Sequence, residues 1–169
     1  VDEYLDSAVK RPCIVVAIDN GGSKRMNEYC PFDFVLGRDS TIKENGEGKA
    51  YISFIVNTLK PYIDQRLRTL KKRKHTFMAG SSMGGLISLY AALAYPRIFG
   101  GAGVFSPSVW ICKKELLALA KTKGKAMRTR IFFYSGKLES REMVPDMLSV
   151  FETLLQVSKS AMTVVIRDE

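Results

Sequence analysis

Five short apolar runs alternate along this chain with four segments of helical spacing. The first, Cys13-Ile14-Val15-Val16-Ala17-Ile18, is continuous and rich in β-branched residues, the pattern of a parallel strand covered on both faces. Asp19-Asn20-Gly21-Gly22 breaks it, and a polar connection follows as far as about Gly48. So long a connection within a domain predicts a functional loop. Over residues 50–70, Ile52, Ile55, Val56, Leu59, Ile63 and Leu67 share one helical face, and Pro61 is expected to bend or divide the helix. Further strands are predicted at 75–79, 101–105, 131–134 and 162–166, and further helices at 86–93, 113–121 and 141–158. The small residues of Gly101-Ala102-Gly103 are expected to let a helix approach closely. This alternation predicts an α/β fold with a mostly parallel sheet, which binds ligands beyond the carboxyl ends of its strands. At 169 residues, the whole span 1–169 reads as a single domain.

Between the second strand and the helix after it lies Gly80-Ser81-Ser82-Met83-Gly84, a G-x-S-x-G match. In a nucleophile elbow, a sharp strand-to-helix turn lifts the central serine out of the sheet. The N–H of the next residue then points at a developing oxyanion, helped by the helix N-terminus. Centring the motif on Ser81 would place Ala79 and Met83 at the glycine positions, so Ser82 is the candidate nucleophile.

Composition narrows the partners. The net charge is +9, but Lys71-Lys72-Arg73-Lys74 and the 121–130 cluster carry no interleaved aromatic residues for base stacking. Nucleic-acid binding is therefore not expected, whereas attraction for an anionic substrate is compatible with the charge. No apolar run reaches the ~20 residues needed to span a bilayer. Cys13, Cys30 and Cys112 are far apart and form no C-x-x-C pair, so reduced, partly buried thiols are expected, with neither a disulfide framework nor a zinc site. Free thiols weigh slightly towards the cytoplasm, and the compartment is otherwise left open. The start, Val1-Asp2-Glu3-Tyr4, lacks the features of a signal peptide.

A hydrolytic serine needs a base and an acid that orients it. Glu139 lies just beyond the 131–134 strand, three residues past Gly136, where such an acid belongs; an exposed loop carboxylate fits the same spacing. Asp146 is its rival but falls within a predicted helix. The single histidine, His75, begins the strand that ends at Ser82. An extended chain rises ~3.3 Å per residue, which puts His75 roughly 20 Å from Ser82, too far to share a proton.

The residues Val16-Ala17-Ile18-Asp19-Asn20-Gly21, Arg25-Met26-Asn27-Glu28-Tyr29, the Gly80-to-Gly85 elbow, Tyr95-Pro96, Phe99 and Phe105-Ser106-Pro107-Ser108-Val109-Trp110 resemble the esterase D family of α/β-hydrolases. The similarity extends over about residues 13–166. It implies a three-layer α/β-hydrolase sandwich, with Ser82 as nucleophile, the Met83 N–H as an oxyanion donor and Glu139 as triad acid. Arg25 and Glu28 match an arginine–glutamate pair near the family's active site, and these two with Trp110 are its substrate-side candidates. The family includes carbohydrate, feruloyl and siderophore esterases, S-formylglutathione hydrolases and mycolyltransferases. The implied function is a serine carboxyl-ester hydrolase acting on carbohydrate-linked or siderophore-type esters, without metal or organic cofactor. An acyltransferase, or a hydrolase fold kept for partner contacts, stands beside it. Family members carry earlier strands, with a second oxyanion donor, and a catalytic histidine after the last strand. Neither is in this chain, which therefore looks like an interior portion of such a domain, with a sheet edge open to a second copy.

Overall fold

The computed structural model describes residues 12–36 and 42–168. In chain order come helix α1 (Arg25–Tyr29), strands β1 (Phe34–Val35) and β2 (Lys43–Glu44), and helices α2 (Gly48–Phe54) and α3 (Lys60–Arg66). Strand β3 (Phe77–Ser81), helix α4 (Met83–Ala94), β4 (Gly101–Phe105), α5 (Lys113–Lys123), β5 (Arg130–Gly136), α6 (Met143–Val157) and β6 (Met162–Arg167) follow. The predicted α/β fold is present. Strands β3 to β6 form one parallel sheet in sequence order, while β1 and β2 make a small antiparallel pair.

Register sets which residues leave the sheet together. Ser81 lies opposite Phe105, and Phe105 opposite Tyr134, so β3, β4 and β5 end side by side. The row Met78, Ala102, Ile131, Met162 faces the helices, and so does the row Gly80, Val104, Phe133, Val164. Helix α4 lies at the centre, with Met83 and every residue from Gly85 to Leu93 buried. Its Leu86 and Leu89 join Val104, Phe133, Met147 and Leu154 in the main core. On its other side, Ile87, Tyr90 and Ala91 pack against Ile52 and Ile55.

Two expectations need correction. The Cys13–Ile18 run is not a strand: Ile14, Val15 and Val16 are 49%, 54% and 42% exposed, and Ile18 alone of the run packs inward. Among the described residues the run pairs with no strand, and β3, the edge strand of the sheet, is paired with β4 alone. The helices packed on the sheet cover one face, so the described residues supply the sheet and one helical layer of the α/β-hydrolase-like sandwich. The opposite face is an open apolar hollow where Phe77, Ala79, Phe105, Phe132 and Thr163 line up. Gly101 and Gly103 also differ from expectation: a Cβ there would strike the rings of Phe77 and Phe105, not a helix.

Other features refine the reading. Pro61 does not end its helix, because the turn before it, Ile55–Leu59, widens to π spacing and Lys60 N–H bonds to Ile55 O. The long polar connection contains α1 and the β1–β2 pair, closed by the Asn27 side chain on Glu44 and on the Asn45 carbonyl. Among the described residues, no helix is long and apolar enough to cross a membrane. Cys30 and Cys112, 82 positions apart in sequence, meet in the core while Cys13 is exposed. Their mutual hydrogen bond, together with burial, pushes the Cys112 thiol above its ordinary range.

Candidate active site

The turn from β3 into α4 is held in a conformation that residues with a Cβ rarely adopt. Ser82 has φ 58° and ψ −120° and directly precedes Met83, the first residue of α4. Its N–H donates to Phe105 O at 3.0 Å, and its carbonyl accepts from Leu86 N–H at 3.1 Å and Ser108 N–H at 3.1 Å. The strained residue is thus fastened at both its N–H and its carbonyl. Met83 N–H lies in the first turn of α4, where helix amides have no intrahelical acceptor. An oxyanion placed there meets that amide and the positive end of the helix dipole.

Close packing makes this turn glycine-dependent. A Cβ on Gly80 would lie 2.7 Å from the Gly84 backbone, and one on Gly85 would lie 2.7 Å from Phe105 O. A Cβ on Gly84 meets nothing within 4 Å, so the tight contacts fall on Gly80 and Gly85. We expect Gly85→Ala to destabilise the fold by roughly 1–3 kcal/mol through forced backbone displacement. Gly84→Ala should change stability by less than about 0.5 kcal/mol. Urea melts of both variants check the contrast.

Ser82 Oγ shares a 3.0 Å hydrogen bond with Ser108 Oγ. Two residues earlier in the same loop, Ser106 Oγ donates to Glu139 Oε1 at 2.6 Å, and Gly136 N–H donates to that oxygen at 2.8 Å. Glu139 is therefore anchored at the carboxyl ends of β4 and β5, one loop away from Ser82. Among the described residues none donates to its Oε2. Asp146 lies in the first turn of α6, 7% exposed and paired with Lys113 Nζ at 2.6 Å, so it ties α6 to the start of α5. His75 closes the turn Arg73–His75 ahead of β3, at the far end of the strand from Ser82.

The remaining candidates lie on neighbouring segments. Glu28 Oε2 accepts from Gly21 N–H at 2.8 Å, while the Arg25 guanidinium lies 5.3 Å from the centre of the Tyr29 ring. No ion pair joins Arg25 to Glu28 among the described residues. Their helix α1 packs on α4. Trp110 is 52% exposed in the turn Val109–Ile111, two residues beyond Ser108. The roles of Ser106 and Ser108 were not legible from spacing, because both of their partners are long-range in sequence.

The fold has known counterparts. The esterase family model ("Putative esterase") matches residues 1–165. The chain belongs to that family. The uncharacterized protein YbbA of Bacillus subtilis (strain 168) is 29% identical over 160 residues, covering 94% of this chain and 64% of the relative. The iron(III) salmochelin esterase of Escherichia coli O6:H1 is 31% identical over 112 residues, covering 63% of this chain and 24% of the relative. The BES protein from Bacillus cereus superposes with a TM-score of 0.70 at 24% identity, over 91% of this chain and 60% of that one. The IroE-like serine hydrolase from Shewanella oneidensis gives 0.73 at 19% identity, over 86% of this chain and 51% of that one. These structures share the α/β-hydrolase-like fold. This family member thus spans 64% of the length of YbbA and 60% of the BES protein.

Proposed function

We propose that the protein is a serine carboxyl-ester hydrolase that works through an acyl-enzyme on Ser82. The observation that carries this reading is the φ 58° serine at the strand-to-helix apex, directly before the first amide of α4. Ser82 Oγ attacks the acyl carbon, its proton passes to a histidine base, and the tetrahedral oxyanion lies against Met83 N–H. Collapse of the intermediate expels the alcohol, which takes the proton, and water then hydrolyses the acyl-enzyme by the reverse proton path. His75 stands at the far end of β3 from Ser82, so the base in this reading is a histidine outside these 169 residues. Glu139 orients it through Oε2, since Oε1 is engaged by Ser106 and Gly136. Arg25, Glu28 and Trp110 are proposed on the substrate side.

Siderophore-type esters are the favoured substrates, because named relatives include a salmochelin esterase and an enterobactin esterase. Carbohydrate-linked esters come second, and a ferulic acid esterase shares the fold. The net charge of +9 favours an anionic ester of either kind. The test compares the full-length protein on a short p-nitrophenyl ester with and without added glycerol. Release of free acid supports hydrolysis, and acyl-glycerol as the main product would make it a transferase. In the same assay Glu139→Gln should lower kcat by roughly 10³–10⁴-fold with KM little changed. A near-normal rate would remove Glu139 from the triad.

A further inference from the structure

We propose that the 106–108 loop sets the nucleophile and the acid relative to one another, Ser106 positioning Glu139 and Ser108 positioning Ser82. The inference rests on the serine-esterase reading above. Among the described residues, two non-glycine residues have positive φ: Ser82 at 58° and Ser106 at 41°. The elbow accounts for the first. The second lies outside the elbow, in the loop after β4. A glycine would adopt φ 41° without strain, so a serine there marks its hydroxyl as the part in use.

The hydrogen bonds show what the hydroxyl does. Ser106 N–H donates to Tyr134 O at 2.7 Å, fixing the residue to β5, and its Oγ donates to Glu139 Oε1 at 2.6 Å. Glu139 itself is exposed, so without this bond its carboxylate would keep one protein donor, Gly136 N–H, and turn more freely in water. Pro107 fixes φ between the two serines. Ser108 N–H then donates to Ser82 O at 3.1 Å, and its Oγ meets Ser82 Oγ at 3.0 Å. Ser106 and Ser108 are 7% and 4% exposed, so neither hydroxyl readily trades its partner for water. Their Cα atoms lie within about 7.6 Å of one another, since each peptide spans 3.8 Å. One short rigid loop thus holds both catalytic side chains, and an error in it misplaces either.

The test is Ser106→Gly in the full-length enzyme, with kcat, KM and Tm measured together. Glycine removes the hydroxyl and relieves the backbone strain at once. We expect kcat to fall on the order of 10- to 100-fold, KM to stay unchanged, and Tm to equal or exceed that of the parent. A purely structural serine would lower Tm along with activity. Ser108→Ala should lose kcat to a similar degree, and Ser108→Thr, which keeps a hydroxyl, should recover most of it. Unchanged kcat in Ser106→Gly and Ser108→Ala would overturn the proposal. So would a loss that merely follows the fraction of folded protein. Turnover that survives Ser82→Ala, run in parallel, would overturn the serine-esterase reading itself, an outcome distinct from both.

Discussion

Ser82→Ala in the full-length protein should lower kcat towards small esters by roughly 10⁴–10⁶-fold, because among the described residues Ser82 is the hydroxyl that directly precedes the first amide of α4. Ser108 Oγ, 3.0 Å away, is not a substitute. It is 4% exposed and caps only the single 3₁₀ turn Val109–Ile111, whereas Ser82 directly precedes the first amide of the twelve-residue α4. Stability should change little. Alanine keeps the Cβ and hence the same φ, and the lost hydroxyl bond is worth about 0.5–1.5 kcal/mol at most. A variant with parental Tm and no turnover would therefore report chemistry rather than folding. Retained turnover at a tenth of the parental rate or more would exclude Ser82 as nucleophile.

The second large effect concerns the 169-residue chain made by itself. It should hydrolyse p-nitrophenyl acetate no faster than its own Ser82→Ala variant. A serine hydroxyl is a weak nucleophile at neutral pH, and general-base assistance contributes ~10²–10⁴-fold. The sole histidine stands ahead of β3, so that assistance is not available within the chain. Fast, Ser82-dependent turnover would mean that His75, or a histidine of a second copy, reaches the serine.

How much of this was legible in the sequence follows from the range of the interactions involved. The elbow was readable because its requirements are local: Gly80 must lack a Cβ where the backbone of Gly84 lies 2.7 Å away, and strand and helix flank it directly. The parallel sheet was readable because β4, β5 and β6 carry apolar runs and the helices between them carry stripes. The Cys13–Ile18 run shows the limit of that reasoning. An apolar run reports that a strand could be buried, not that neighbours are there to bury it. Helix α1 and the β1–β2 pair were missed because elements of five and two residues leave no periodicity. The Ser106–Glu139 and Ser82–Ser108 bonds join positions 33 and 26 apart, and no local pattern announces them.

The central claim is that Ser82 is the residue acylated in catalysis. The most direct measurement treats the folded full-length protein with a fluorophosphonate, digests it, and locates the added mass by tandem mass spectrometry. The account predicts one modified site, on the peptide that holds Gly80-Ser81-Ser82-Met83-Gly84, fragmenting to Ser82 and absent from Ser82→Ala. Modification at another residue, or none in protein that turns over esters, would contradict it.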